Sequence, residues 1–139
     1  MKKLALTLTL GLACVVAQAA DWQSVGSSDA SELKLDQASI KENKGIREAW
    51  SMWNFKDARK NEGDPKFPTF HSYQDFTLYN CKAKTLRLAG EVLYAELDGA
   101  GAKLDHSDAL KNSPFSKPAE GSVAEVMMNF VCAFPLAGK

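Results

Sequence analysis

Ser122-Val123-Ala124-Glu125-Val126-Met127-Met128-Asn129-Phe130-Val131-Cys132 reads as one complete amphipathic helix with its own start signal. Ser122 is placed to accept a hydrogen bond from the amide of Glu125. The Glu125 carboxylate is placed to reach back to the amide of Ser122, which makes a capping box. Val123, Val126, Met127 and Phe130 recur at helical spacing and share one face, which is expected to lie on a sheet. The methionine pair on such a stripe reads as core filling rather than as a ligand set. The helix ends in Cys132, and its natural partner is Cys81.

The chain opens with an export signal. Lys2 and Lys3 precede an apolar run from Leu4 to Val16 that is too short to span a bilayer as a permanent helix. Ala17-Gln18-Ala19 is an Ala-x-Ala cleavage site, so residues 1–19 are expected to be removed and residues 20–139 to form one domain. The plainer alternative is a buried N-terminal helix. Cys14 follows Gly11-Leu12-Ala13, a poor lipid-attachment signal, and the apolar run continues past it, which argues against lipid anchoring.

Without the leader the chain carries 15 basic and 17 acidic side chains. That balance gives no support to nucleic-acid binding or to a strongly basic membrane patch. No later segment is long and apolar enough to span a bilayer. The expected compartment is the periplasm or the outer cell surface. There, two cysteines in a small domain favour a disulfide over two free buried thiols. A loop of about 50 residues closed by such a bond is worth about 4 kcal/mol in the chain-entropy model. Two cysteines so far apart, with no paired histidine, lack metal-ligand spacing.

Outward from the helix, the rest reads mainly as strands. Asp21 to Val25 is a first strand and Gly26 to Ser31 a turn. Leu33-Lys34-Leu35 alternates, and Asp36 to Ile40 bends the chain. Lys41 to Gly45 is a turn, with Asn43 or Gly45 free to take positive φ. Ile46 to Lys56 is ambiguous: Ile46, Ala49, Trp50 and Trp53 fit a helical face, whereas the aromatic content favours a strand. Asp57 to Phe70, with Pro65 and Pro68, reads as a loop. Tyr73 to Cys81 and Thr85 to Leu97 read as strands, the second with a bulge or bend at Gly90. Asp98 to Gly101 is a turn. Lys103 to Lys117 reads as polar and irregular, with Pro114 and Pro118 breaking any helix.

The residues offer no catalytic centre. The only histidines are His71, at a loop–strand junction, and His106. Asp105-His106-Ser107-Asp108 contains the residue types of a hydrolase triad, but neighbours on an extended chain point to opposite sides. There is no phosphate loop, nucleophile elbow or zinc helix motif. The charge clusters Lys41 to Lys44 and Asp57 to Lys60 read as solvated turns, with contact to a partner as the alternative. No metal site and no cofactor is expected.

Taken in order, these segments resemble a known family. Trp22-Gln23-Ser24-Val25 is followed by Leu35-Asp36-Gln37-Ala38-Ser39-Ile40, then by Arg47-Glu48-Ala49-Trp50. A tyrosine-rich strand ends in Cys81, and a serine-capped helix ends in Val131-Cys132. The order is similar to the surface-adhesin protein E-like domain of exported Gram-negative bacterial proteins, over essentially the whole chain after the leader. The resemblance implies an α+β fold: an antiparallel sheet of about six strands with the C-terminal helix fastened to it. It also turns Ile46 to Lys56 towards strand. It implies a non-catalytic, adhesin-like binding protein that meets host matrix or plasma proteins. The alternative is a periplasmic accessory or small-ligand carrier, haem included, since the founding member of the family it resembles is associated with haem.

The strand Tyr73 to Cys81 carries apolar residues on both faces, Tyr73 and Tyr79 on one and Phe76 and Leu78 on the other. One face is expected under the helix. The other needs a cover, either a second copy in a symmetric dimer, to which the resemblance also points, or the loop Asp57 to Phe70 with Phe67 and Phe70 inserted.

Overall fold

A computed structural model describes residues 19–138. The expected leader, Cys14 included, lies outside the described residues except for Ala19. The strands are β1 (Trp22–Ser27), β2 (Ser31–Asp36), β3 (Lys41–Asn43), β4 (Ile46–Lys60), β5 (Thr69–Asn80), β6 (Thr85–Tyr94) and β7 (Lys103–Asp105). The helices are a single turn, α1 (Ser107–Leu110), and α2 (Val123–Ala133). The seven strands form one antiparallel sheet in the order β1-β2-β4-β5-β6-β7, with β3 pairing beside β2 on the same edge of β4. The fold is α+β, a single antiparallel sheet with a C-terminal helix and one disulfide, as the alternating segments and the capped helix predict.

The ambiguous stretch from Ile46 is the long central strand of the sheet. Its alternation decides the matter: Ala49 and Ser51 face one side and Trp50 and Met52 the other, and both sides are covered. It runs further than expected. After an irregular stretch beyond Asn54, Arg59 and Lys60 pair with Phe70 and Thr69. The expected loop of residues 57–70 therefore shrinks to residues 61–68. Asn61 closes it, donating its backbone N–H to the Pro68 carbonyl at 2.8 Å and its side-chain amide to the Phe67 carbonyl at 2.9 Å, while its Oδ1 accepts the Gly63 N–H at 3.2 Å.

Other turns are also tighter than the sequence suggests. β1 runs to Ser27, which leaves residues 28–30 as the turn into β2. Lys41 to Asn43 is a strand, and Lys44 and Gly45 alone make the hairpin turn, both with positive φ (51° and 81°). The expected bulge near Gly90 is present: Phe76 faces Gly90 and Thr77 faces Leu88, so Ala89 is the extra residue. A side chain at Gly90 would sit 3.1 Å from Ser107 Oγ and 3.2 Å from Phe76 Cβ, so glycine lets α1 approach the sheet. Residues 103–117 are not wholly irregular. They hold β7 and the single turn of α1.

The two faces of the sheet are covered differently. On the first, Leu33, Leu35, Ile40, Ala49 and Tyr79 pack against Met127, Met128 and Val131 of α2. On the second, the cover supplied by the chain itself is not the expected loop of residues 57–70. The segment from Glu96 to Gly99 folds back over this face. Ser72, fully buried, donates its hydroxyl to the Glu96 carbonyl at 2.6 Å and accepts the Gly99 N–H at 3.0 Å. Asn54 and Asp98 bond reciprocally, the Asn54 amide donating to the Asp98 carboxylate and the Asp98 N–H donating to Asn54 Oδ1, each at 2.8 Å. Lys34 reaches the same carboxylate at 2.7 Å and, with Asn54, holds it below the usual carboxylate range. Phe70 does not insert here. It packs on Phe55 and Tyr73.

The helix is secured at its C-terminal end. Cys81 and Cys132 are bonded, with an S–S distance of 2.02 Å and Cα atoms 5.6 Å apart. Arg47 on β4 donates from Nη1 to the Val131 carbonyl at 2.6 Å and to the Phe134 carbonyl at 2.7 Å. A cation on the last, otherwise unpaired, carbonyls of a helix also complements its dipole. Replacing Cys132 by alanine should therefore lower stability by about 2–5 kcal/mol. Urea unfolding of the two proteins measures the difference, and a loss below about 0.5 kcal/mol would show that Arg47 and packing suffice.

Candidate functional site

The helix faces the sheet through a different stripe from the one its apolar pattern suggests. Met127, Met128 and Val131 are buried, while Val123, Val126 and Phe130 are 48%, 59% and 39% exposed. Two stripes on this helix are apolar, one residue apart in phase, with Met127 common to both. The disulfide chooses between them. Cys132 must face the end of β5, and Met128, one turn before it, is carried inward with it. The expected stripe of Val123, Val126 and Phe130 is thereby rotated outward.

The start of the helix is held locally rather than by the sheet. Ser122 Oγ accepts the Glu125 N–H at 3.2 Å. The Glu125 carboxylate accepts from the Gly121 N–H at 2.7 Å, not from Ser122 as the capping-box reading has it. The Ser122 N–H is already donated to the Ala119 carbonyl. Gly121 takes φ +71°, which presents its amide to the acid.

Secured at one end and only capped at the other, α2 leaves a groove between its N-terminal half and the sheet. Two adjoining hollows make it up. One, about 280 Å³, lies between the helix start and the β1–β2 hairpin, with Val25, Val126 and Gly121 in its lining. The other, about 260 Å³, lies over the middle strands, with Ser51, Asp75, Thr77 and Leu88 in its lining. Leu33, Trp53, Val123 and Met127 border both. Trp53 also begins an aromatic row, stacking on Phe55, which meets Phe70 and Tyr73 and carries the Arg59 guanidinium 4.6 Å over its ring.

The floor of the second hollow is set by strand register. Ser51 on β4 stands opposite Asp75 on β5, and Asp75 opposite Glu91 on β6. Asp75 is half-buried as a residue, but its Oδ1 is shut off from solvent and has no hydrogen-bond partner. Burial, with the Glu91 charge adding to it, pushes the Asp75 carboxyl up to about 7. Burial likewise holds the neighbouring Tyr73 phenol far above its ordinary range. Asp75 is the residue that sequence reading misses. The signal was available, an acid between Tyr73 and Thr77 on the period-two face that packs under the helix.

The histidines stand apart from one another in their bonding. His71 Nδ1 lies 3.2 Å from the Phe55 carbonyl, beside a hollow bordered by Lys56, Glu96 and Leu97. His106 Nδ1 lies 3.3 Å from Glu91 Oε1. The triad residue types of 105–108 do not converge. The Ser107 hydroxyl accepts the Glu91 N–H, and the Asp105 carboxylate accepts the Ser107 N–H. The cluster Asp57 to Lys60 belongs to β4 rather than to a turn, with Arg59 on its aromatic ring, and Lys41 to Asn43 lie in β3 while Lys44 sits in the hairpin turn.

The raised Asp75 value makes stability depend on pH with a definite sign. An aspartate in the unfolded chain titrates near about 3.9. Below that value both states hold the proton, and the folded state keeps its full advantage. As pH rises towards 7 the unfolded chain releases the proton first, so that advantage is lost across the window. Asp75→Asn abolishes the titration. The variant should gain stability relative to the parent between pH about 4 and about 7, as read from urea midpoints, and a difference flat with pH would refute the assignment.

Comparison with known proteins bears on the whole of this architecture. No curated protein and no solved structure matched the chain. The family model described as surface-adhesin protein E matches residues 22–133. That span runs from the first residue of β1 to the last of α2 and takes in every strand, both cysteines and the groove. By this match over most of its length, the chain belongs to the surface-adhesin protein E family.

Proposed function

We propose that the chain is an exported, non-catalytic binding protein that meets matrix or plasma proteins of a host. The observation that carries this reading is the family match over residues 22–133. Export is supported by the leader pattern of residues 1–19 and by the Cys81–Cys132 bond, since such bonds persist in oxidising compartments. Among the described residues no helix is long and apolar enough to cross a membrane. Residues 20–139 then constitute the functional domain, without a lipid anchor at Cys14.

Two measurements on the full gene product test the proposal together. Protease applied to intact cells should remove the domain, and the purified domain should bind members of an immobilised panel of matrix and plasma proteins. Protection in intact cells combined with no binding to the panel would overturn it.

The groove favours a second reading, a periplasmic carrier of a small ligand. Haem does not fit that groove well. Its lining holds no histidine, and His71 and His106 are engaged elsewhere. We also propose a symmetric dimer through the second sheet face. There Trp50 and Phe76, with ring centroids 5.1 Å apart, stay half-buried beyond the edge of the Glu96–Gly99 cover. Light scattering should give twice the mass of one chain at micromolar concentration, and a single-chain mass unchanged on dilution would rule the dimer out.

A further inference from the structure

We propose that the groove beside the N-terminal half of α2 binds a small amphiphilic cation, a protonated amine on an aliphatic stem, with its ammonium on Asp75. The inference stands whether or not the chain is an adhesin, because it rests on the groove alone.

The first observation is the orphaned oxygen. Asp75 Oδ1 is closed off from solvent and accepts no hydrogen bond from the described residues. A buried acceptor without a donor is costly, and native structures rarely keep one without a use. Asp75 lines the second hollow, so a donor seated there reaches this carboxylate, whose Oδ1 the strand neighbours Ser51 and Glu91 leave unpaired.

The second observation is charge. Glu91 stands opposite Asp75 on the next strand, and its charge disfavours a second anion beside it. Among the described residues no basic side chain pairs with Asp75, and His106 engages Glu91. A hollow lined by Asp75, with Glu91 beside it on the next strand and an apolar roof, selects against an anion. It favours a cation whose ammonium brings three donors and no acceptor.

The third observation is shape. The acid sits in one hollow, and the adjoining hollow is apolar, with Val25, Leu33, Val123 and Val126 around it. Neighbouring hollows of about 280 and 260 Å³ that share Trp53 in their linings suit a charged head in one and a short aliphatic tail in the other. The exposed Val123 and Val126 then become the rim that a tail would cover.

The test uses the purified domain at mildly alkaline pH and titrates octylamine, octanol and octanoate by calorimetry. Octylamine should bind, octanol more weakly, and octanoate not measurably. Asp75→Asn should weaken octylamine by about tenfold to a hundredfold, the loss of one charge-assisted bond. Circular dichroism checks that this variant keeps the parent fold. Ala124→Phe, which fills the second hollow from the helix side, should weaken octylamine as well and serves if Asp75→Asn does not fold. Octanoate or octanol binding as tightly as octylamine would overturn the proposal, as would unchanged affinity in both variants. A short blocked peptide with one central lysine, binding more tightly than octylamine, would also overturn it and assign the groove to a protein side chain.

Discussion

The attachment at the C-terminal end of α2 governs most of what surrounds it. Two unlike interactions meet there. The disulfide ties Cys132 to the end of β5, and the Arg47 guanidinium gathers the Val131 and Phe134 carbonyls onto β4. One is covalent and the other electrostatic, and they constrain different things. The bond sets the rotation of the helix about its own axis. The guanidinium sets its distance from the sheet and satisfies carbonyls that the helix cannot pair itself. With rotation and distance settled at one end, Met128 and Val131 must point inward and the opposite end must stand clear.

Much of this was legible in the residues because it depends on short-range rules. The cap at Ser122, the pairing of the two cysteines and the alternation of Tyr73 to Cys81 are local patterns with local causes. The misreadings have a common origin in contacts between distant residues. The helix has two apolar stripes of similar quality, and only the bond to Cys81 selects one. The end of β4 reads as loop because Asp57 to Lys60 is charged, yet pairing with Thr69 and Phe70 keeps it extended. The second face of the sheet is covered by polar chemistry. Ser72, Asn54 and Asp98 do there what a stripe of leucines would announce in a sequence. Hydrophobic periodicity cannot find such a cover.

Asp75 shows the other kind of failure, in which the local pattern is visible but contrary to it. A carboxylate on an inward-facing position of a central strand runs against every rule that builds the rest of the sheet. Positions where local and global preferences disagree are where functional demands are expected. The surrounding structure tolerates the acid because the groove is open at the helix start, so that only one of its oxygens is wholly enclosed. The same separation divides the architecture in two: the sheet and the secured end are supports, and the capped end is the part that leaves space.

The position of the two cysteines in the chain also orders events during biosynthesis. Cys81 follows β5, whereas Cys132 comes 51 residues later, after every strand has been made. The sheet can therefore register itself by hairpin contacts between neighbouring strands while the helix is still absent. The oxidation step comes last and closes a finished platform rather than guiding its assembly. Among the described residues Cys132 is the one cysteine available to pair with Cys81. Between the two cysteines of the described residues there is one pairing, so closing it needs an oxidant and no isomerase.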